Sequence, residues 1–301
     1  MSPAPRRRRC GAMQVHERLL ETYPSFRQSQ ARIDRFTERS IASGLAQRVS
    51  RRVITIPVVV HVVHKRPSEN ISKGQIRSQI SVLNRDFRAT NPDKSKVPAV
   101  WQGLIGNANI KFALATRDPK RRKTDGITRT KTTRSSFGAD DSVKYASKGG
   151  ADPWPSRQYL NLWVCNLGGG LLGYAQFPGG PARTDGVVIL HSAFGTQGDV
   201  RAPFNLGRTV THEIGHWLNL RHIWGDTMDC SGGDRVADTP NAEGPNYGKP
   251  SFPHITCNNG PNGDMFMNYM DYVDDAAMFM FSAGQVTRMN AALAGPRKSF
   301  A

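Results

Sequence analysis

The sequence has no long hydrophobic run and little cysteine. No window of about 18 uninterrupted apolar residues occurs, which excludes a membrane-spanning helix, so we expect no membrane partner. Only four cysteines occur in 301 residues and none lies in a CxxC pair, so a cysteine-rich zinc module is not expected. The N-terminal sequence MSPAPRRRRCGAM lacks the apolar stretch of a recognisable secretory signal. Hydrophobic residues still make up 38% of the chain, which excludes full disorder.

Acidic residues are scarce overall but are concentrated in one segment. The chain has 41 basic and 24 acidic residues, a net charge of +17, and residues 1–52 alone carry +8. Between His222 and Asp275, 9 acidic residues stand against 2 basic ones. Such a block indicates a site for a cation or a basic substrate, whereas a nucleic-acid binder more often spreads positive charge over its functional face. We therefore expect no specific nucleic-acid partner, although loose polyanion binding is an alternative that salt-sensitive retention on DNA or heparin would support.

Hydrophobic periodicity predicts a helical N-terminal segment followed by a mixed α/β region. Residues 1–50 show apolar residues at helical spacing, with Pro24 as the break between two helices. The β-branched run VITIPVVVHVVH predicts a buried strand, and an amphipathic helix follows it. In order, we expect a strand at 53–64, a helix at 76–87, strands at 110–115, 159–165 and 186–190, and a basic, loop-rich segment at 117–148.

The C-terminal part of the chain loses this periodicity. Residues 223–281 are irregular, and so long an irregular segment needs a stabiliser such as a disulfide or bound ions. Cys230 and Cys257 flank a loop rich in Gly, Asn and Pro and could close it with a disulfide, while Cys165 is expected to be a buried free thiol. A final helix is expected at 282–293, with Ser282 as its N-cap.

The string THEIGHWLNLRH carries the chemistry. His212 and His216 are four residues apart, so on a helix both imidazoles share one face and can bind one Zn²⁺ at about 2.0–2.1 Å. Glu213 is placed to activate the attacking water. His222 lies six residues beyond His216, so the helix must stop between them, and Asn219 suits the left-handed conformation of a helix stop. Three histidine ligands leave one position open, which is typical of catalytic zinc.

Two alternatives to this catalytic site are less favoured. A bare HExxH can occur by chance on a surface helix, but the third histidine at this spacing favours a metal site. A gluzincin-type peptidase would use a carboxylate as third ligand, and His222 makes that unnecessary.

The motifs resemble one family in particular. HEIGHWLNLRH matches the metzincin zinc motif and MFMNYMDY resembles the metzincin Met-turn. With LWVCNLGGGLLGYAQFPGG and DRVADTPN, they resemble the pappalysin family, especially its compact microbial members related to ulilysin. The resemblance implies an α+β metzincin-type fold. Its upper subdomain (51–222) would hold a mixed twisted sheet and the active-site helix, and its irregular lower subdomain (223–301) would end in a helix. It also implies a secreted zinc endopeptidase that acts on protein or peptide substrates.

The resemblance assigns roles to further residues. Met270 would be the Met-turn methionine beneath the imidazoles, and the Tyr272 hydroxyl would stabilise the oxyanion. Cys10, in RRRRCGAM, resembles a cysteine switch whose thiolate occupies the open position on zinc. Residues 1–50 would then be an inhibitory propeptide of a latent zymogen. Its positive charge would dock on the acidic lower subdomain, and it would be cleaved near Ser50 and Arg51. An incidental cysteine in a disordered tail is the alternative.

In the family, the loop GGDRVADTPNAE holds a structural calcium ion. By resemblance the ligands would be Asp234, the Val236 carbonyl, Thr239 and Glu243, since hard oxygen ligands on an irregular loop suit Ca²⁺. A solvated acidic loop is the alternative. The family's usual lower subdomain has two disulfides, and the second pair would fall at Lys249 and Ala277, where cysteine is missing.

The substrate is expected to pair edge to edge with the strand at 173–177. A preference for a basic residue just after the scissile bond (P1′) is a hypothesis from Asp271, Asp274 and Asp275. Outside the enzyme class, a zinc protein that binds without turnover is the main alternative. Glu213 argues against it, because inactive zincins commonly lose that residue. We expect a monomer whose own propeptide is its inhibitor.

Overall fold

A computed structural model describes residues 5–49 and 52–301. The N-terminal segment folds into three helices, α1 (Ala12–Thr22), α2 (Pro24–Ala42) and α3 (Leu45–Val49). Pro24 begins α2, where its missing N–H leaves no helical hydrogen bond unmade, so the predicted break between two helices is confirmed. The cleavage position expected at Ser50 and Arg51 lies outside the described residues.

A six-stranded, twisted mixed sheet forms the centre of the chain. Its strands are β1 (Ile54–His64), β2 (Ile110–Leu114), β3 (Ile127–Lys131), β4 (Leu160–Cys165), β5 (Gly173–Ala175) and β6 (Val187–Leu190). The order is β2-β1-β4-β6-β5, and β3 pairs with the second half of β1. All pairs are parallel except β5 with β6. The short strand β5 therefore lies at one edge of the sheet.

The segment 117–148 is rich in loops and short turns, as predicted, but it also contains a strand that its sequence does not indicate. β3 lies within that segment, and its sequence ITRTK carries none of the apolar alternation that marks a half-buried strand. β3 forms because β1 has eleven residues and β2 pairs only with the first half of β1. The backbone groups of β1 from Val60 to His64 are thus left for a second parallel partner on that side.

Four further helices complete the fold. They are α4 (Lys73–Asp86), α5 (Ala99–Gln102), α6 (Arg208–Trp217) and α7 (Ala283–Ala294). Short 3₁₀ turns are Pro67–Glu69, Pro92–Lys96, Ser142–Lys144, Ala146–Lys148, Ala182–Thr184, His191–Ala193, Asp275–Ala277 and Lys298–Phe300. α4 begins at Ser72, whose Oγ accepts a hydrogen bond from the Gln75 N–H at 3.0 Å, as an N-cap does. Among the described residues, no helix is long and apolar enough to cross a membrane.

The sheet has a separate apolar core on each face. On one face, alternate β1 residues such as Val58 and Val60 pack with α4 and with Ile214 of α6. On the other face, Trp163 and Tyr174 pack with Val15 and Leu19 of α1. Burial of each such aliphatic side chain is worth about 1.5–3 kcal/mol, so the N-terminal segment is part of the folded core.

Residues 223–281, all within the described part, contain no α-helix and no strand of the sheet, as predicted. The expected disulfide between Cys230 and Cys257 is present in this segment. Such a bridge is typically worth about 2–4 kcal/mol. α7 follows, and its N-cap Ser282 exchanges hydrogen bonds with Gln285 in a capping box. Cys165 is a buried free thiol, also as predicted.

Candidate metal centre and substrate cleft

Three imidazole nitrogens converge at the end of α6. The Nε2 atoms of His212 and His222 lie 3.2 and 3.1 Å from the Nε2 atom of His216. Two nitrogens bound to one tetrahedral Zn²⁺ lie about 3.4 Å apart, so the spacing fits a shared ion. The turn that brings His222 back begins at Asn219, which has the predicted left-handed conformation (φ 74°).

Each imidazole is oriented through its other nitrogen. The Nδ1 atoms of His212 and His216 lie 2.7 and 2.9 Å from the carbonyl oxygens of Tyr269 and Leu220. The His222 Nδ1 atom lies 2.5 Å from the Asp226 carboxylate. With Nδ1 protonated, every Nε2 lone pair points to the common centre. Burial lowers the pKa of His212 well below its usual value and that of His216 to about 3, so both rings are neutral, as metal ligands require.

The Cys10 thiol completes the set of donor atoms. Its Sγ and one nitrogen from each of the three histidines all lie within 4.8 Å of one another. Three imidazoles and a thiol suit zinc in a closed tetrahedral site. Burial, and then the charge of Glu213, raise the pKa of the Cys10 thiol, so a thiolate there needs a cation beside it.

Glu213 lies against this centre and against the edge strand. Its Oε2 accepts a hydrogen bond from the Cys10 Sγ at 3.3 Å, and burial raises its pKa to about 8. A Cβ atom at Gly173 would lie 3.0 Å from Oε1 of this carboxylate. Glycine at this position of β5 therefore leaves the room that the carboxylate occupies.

Met270 and Tyr272 flank the imidazoles from below and from the side. A Cβ atom at Gly215 would meet the Met270 sulfur at 2.4 Å, so Met270 packs directly against the backbone of α6 between two ligands. The Tyr272 ring lies 4.9 Å from the His222 ring, and its hydroxyl interacts with the Cys10 backbone. Burial raises the pKa of Tyr272 well above 10, so the phenol keeps its proton.

The segment around Cys10 covers the sheet edge where the substrate was predicted. The Gly11 N–H donates to the Gly173 carbonyl at 2.9 Å, and the Leu172 N–H donates to the Arg9 carbonyl at 3.0 Å. The segment runs parallel to β5. Residues of the same chain thus occupy the backbone groups that an extended peptide would use.

Arg8 fills a buried pocket beside the centre. Its Nη2 binds Asp275 Oδ1 at 2.6 Å, its Nη1 donates to Thr209 Oγ1 at 3.0 Å and its Nε donates to the Val273 carbonyl at 3.2 Å. The second oxygen of Asp275 accepts the Leu206 N–H at 2.8 Å, which fixes the carboxylate. The pocket thus recognises both the charge and the planar shape of a guanidinium.

Asp271 and Asp274, which were also predicted to favour a basic P1′ residue, do not hydrogen-bond to Arg8 among the described contacts. Asp271 is buried and accepts hydrogen bonds from Asn246 and from the Tyr272 N–H. The Asp274 N–H donates to the Gly248 carbonyl. Among the described contacts of Arg8, Asp275 is the carboxylate partner.

The expected calcium loop gathers three of its four oxygens. Thr239 Oγ1 lies 2.9 and 2.8 Å from the two Asp234 oxygens and 2.9 Å from the Val236 carbonyl oxygen. Glu243 is exposed, and its described contact is a hydrogen bond from its backbone N–H to Thr256 Oγ1. Burial raises the pKa of Asp234 to about 7. The structure thus brings the oxygens of Asp234, Val236 and Thr239 together around a buried carboxylate and leaves Glu243 apart from them.

The docking of the N-terminal segment is mixed in sign, whereas the sequence predicted positive charge on an acidic lower subdomain. Arg8 follows that prediction. Arg18 of α1 instead pairs at 2.5 Å with Asp141, which lies outside the predicted lower subdomain. At Asp34 of α2 the signs are opposite to the prediction, since the N-terminal segment supplies the negative charge. Its carboxylate pairs at 2.7 Å with Arg235, which lies in the predicted lower subdomain.

Asp226, Thr209 and Arg8 are functional candidates that the sequence analysis missed. Asp226 stands four residues after His222, and that spacing could have suggested a carboxylate partner for the ligand. Arg8 lies 267 positions from Asp275, and only the fold brings them together.

Comparison with known proteins agrees with this site. The family model described as pregnancy-associated plasma protein-A matches residues 144–294. An extracellular metalloprotease of Pyricularia oryzae is 31% identical over 95% of this chain and 88% of its own, and one of Podospora anserina is 31% identical over 93% and 87%. Among solved structures, promirolysin of Tannerella forsythia, as a glutamate-to-alanine mutant, matches with 48% identity over 97% of both chains and a TM-score of 0.88. Mature mirolysin in complex with a cleaved peptide matches with 52% identity over 82% of this chain and 95% of its own, with a TM-score of 0.81.

The fold and these relatives define a zinc metalloendopeptidase with the metzincin fold. The chain belongs to the pappalysin peptidases, the family M43 described by pregnancy-associated plasma protein-A. The resemblance, the fold class and the enzyme class stated from the sequence are confirmed.

Proposed function

We propose that this protein is a secreted endopeptidase made as a latent zymogen, in which Cys10 blocks a zinc ion held by His212, His216 and His222. The observation that carries this proposal is the convergence of the four donor atoms beside a buried Glu213. Residues 1–50 act as the propeptide, and residues 51–222 and 223–301 form the two subdomains of a monomeric catalytic unit. The precursor of the relative covers 97% of this chain and its mature form 82%, a difference close to the length of residues 1–50.

Zinc, when bound, would supply a polarised carbonyl and an acidified water. Glu213 takes the proton from the attacking water and later gives it to the leaving amine, which needs a carboxylate with a pKa raised toward neutrality. Tyr272 keeps its proton and donates a hydrogen bond to the negative charge that develops on the carbonyl oxygen. Met270 packs beneath the ligands and limits their movement.

Substrates carry a basic residue, arginine above all, directly after the scissile bond. The support is Arg8, which this chain places in the pocket formed by Asp275, Thr209 and Val273. An extended peptide would pair with β5 in place of the segment around Cys10. Secretion is supported by the extracellular names of the relatives and by the disulfide, which persists in oxidising compartments.

Replacement of Cys10 by serine is expected to release the latency of the full chain. The hydroxyl is a weaker zinc ligand than a thiolate, so the open position becomes available to water and substrate. We expect at least about a tenfold gain in hydrolysis of fluorogenic peptides that carry arginine at P1′, measured on the zinc-loaded full chain before any cleavage. A chelator should remove the activity.

The wild-type full chain, and the same chain after proteolytic removal of residues 1–50, are the references. If the serine variant is as silent as the wild type, latency resides in Arg8 and the helices rather than in the thiol. If the trimmed, zinc-occupied protein cleaves no peptide, the peptidase proposal fails and a binding role without turnover takes its place.

Calcium is expected to stabilise the protein more at about pH 8 than at about pH 5. Burial raises the folded-state pKa of Asp234 from 3.8 to about 7, so between these values the ion-free folded protein holds a proton that the unfolded chain has released. The ion-free form therefore loses stability as pH rises through this window. Calcium needs the ionised carboxylate of Asp234, so it binds best at a pH above the pKa of about 7 and stabilises the folded protein most there.

Thermal unfolding with and without calcium at both pH values measures the effect. Asp234→Asn should abolish the difference, whereas Asp229→Asn, an exposed position in the same subdomain, should retain it. Equal calcium shifts at both pH values in the wild type would contradict the assignment.

A further inference from the structure

Three arginines of the catalytic region gather where α2 crosses the lower subdomain. Arg235 lies in the loop that contains Asp234, Arg288 lies in α7, and Arg221 directly precedes the ligand His222. One carboxylate of the N-terminal segment, that of Asp34 in α2, lies among them. Its Oδ2 lies 2.7 Å from Arg235 Nη1 and its Oδ1 lies 3.6 Å from Arg288 Nη2, so each oxygen faces a different guanidinium.

This arginine cluster (Arg221, Arg235 and Arg288) is a built site. The Arg288 side chain is only 3% exposed, and its Nε donates to the Asn219 carbonyl at 2.8 Å, which fixes its orientation. Burial, and the positive charges of Arg221 and Arg235, lower the pKa of Arg288 to about 10, and the charge of Asp34 opposes that effect. Bringing these positive charges together costs free energy that a bound carboxylate offsets.

The other carboxylates that face the cluster already have partners. Asp226 binds His222, and Asp234 accepts hydrogen bonds from Thr239 and from the Val236 N–H. When Asp34 leaves with the propeptide, the cluster therefore keeps its positive charge, and Arg288 keeps its hydrogen bond to the Asn219 carbonyl, but both Arg235 and Arg288 lose the carboxylate of α2.

Along the N-terminal segment, Arg8 precedes Cys10 and Asp34 follows it, so the Arg8 pocket and the arginine cluster are bound by parts of the segment on either side of the metal centre. From Arg8 the chain passes Cys10 at the centre, and the His16 ring then packs on Phe177 at 5.0 Å, which itself packs on His216. The charges of Arg221 and Asp34 both act on His16. A peptide whose P1′ residue fills the Arg8 pocket has its scissile bond at the metal centre. Its residues before that bond then extend toward the arginine cluster.

We propose that the arginine cluster is a carboxylate-binding subsite of the matured enzyme, which selects an acidic side chain on the N-terminal side of the scissile bond. Asp34 occupies this subsite in the latent chain. The inference rests on the proposed peptidase function and adds a second specificity determinant to it. The preferred substrate then carries an acidic residue before the scissile bond and arginine directly after it.

The test uses full-length protein that is matured by limited proteolysis and loaded with zinc. Each peptide has arginine at P1′ and a single Glu at one of the positions from P2 to P6. A second peptide with Gln at the same position is its neutral match. At one or two neighbouring positions we expect Glu to raise kcat/KM by about tenfold over Gln, through KM. Arg235→Gln should bring that ratio to about one, whereas Arg157→Gln, an exposed arginine elsewhere, should leave it unchanged.

A binding measurement separates this proposal from the peptidase proposal. Fluorescence anisotropy of the same peptides on the Glu213→Gln protein, with and without Arg235→Gln, reports affinity without turnover. A tenfold tighter Glu peptide that depends on Arg235 supports the subsite even if no peptide is cleaved. A Glu-to-Gln ratio near one at every position, in both assays, overturns it and limits the cluster to holding the propeptide.

Discussion

Replacing Glu213 by glutamine is expected to lower kcat/KM for peptide hydrolysis by about 10²–10⁴-fold, the range that general acid–base catalysis contributes. Glutamine keeps the shape and the hydrogen-bonding oxygen but can neither accept the proton from water nor deliver it to the leaving amine. The three imidazoles do not depend on this side chain, since Tyr269, Leu220 and Asp226 orient them. The zinc content of the variant should therefore equal that of the wild type.

Melting temperature provides the control for Glu213→Gln. The raised pKa shows that burial of this carboxylate is unfavourable, so a neutral side chain of the same shape should leave stability equal or increase it. Activity that falls together with zinc content or stability would point to a structural role. More than a tenth of wild-type activity in a zinc-loaded, folded variant would remove Glu213 as the proton carrier.

Replacing Asp275 by asparagine is expected to lower kcat/KM for peptides with arginine at P1′ by about 30- to 5000-fold. The reason is that truncating one partner of a buried charge pair costs about 2–5 kcal/mol. The remaining amide oxygen can still accept the Leu206 N–H, so the start of α6 keeps its support. Peptides with citrulline at P1′ match arginine in shape without the charge. Their hydrolysis should change little, which makes the expected effect a loss of specificity.

Asp274→Asn is the matched control, because this neighbouring carboxylate acts on Arg8 through its charge but makes no described hydrogen bond or ion pair with it. It should retain the preference for arginine over citrulline within a few-fold. Equal losses in the two variants would mean that a diffuse negative field, rather than a specific ion pair, attracts basic peptides.

The convergence of the three histidines could be predicted from sequence because their geometry is local. An i, i+4 pair on one helix and a left-handed stop at Asn219 fix three imidazoles within eleven residues. The partner of Arg8 and the arginine cluster around Asp34 could not, because contacts across more than two hundred residues depend on the packing of whole elements. The strand β3 was not predicted for a related reason, since its pairing depends on the half of β1 that β2 leaves free rather than on the side chains of β3.

Charge patterning over a long segment gave only part of the docking. The sum of charges over residues 1–52 predicts docking on the acidic lower subdomain, and the pair of Arg8 with Asp275 agrees with that prediction. The summed charge gives no sign of the role of Asp34, a single acidic residue. The two arginines beside Asp34 belong to a C-terminal region that is otherwise acidic. Net charge over a long segment therefore does not identify the individual ion pairs, of which only Arg8 with Asp275 is buried on both sides among those between the N-terminal segment and the rest of the described chain.

The position of β5 at the margin of the sheet also bears on how the protein is handled and stored. While residues 9–11 lie along it, the outward backbone groups of Gly173 and Leu172 are covered. If residues 1–50 are removed as proposed, an open strand edge stands beside the apolar Leu171 and Tyr174, and open edges of this kind let copies of a protein pair into aggregates. The uncut chain is therefore the form suited to concentration and storage, and a matured preparation keeps best with a peptide laid along the same margin.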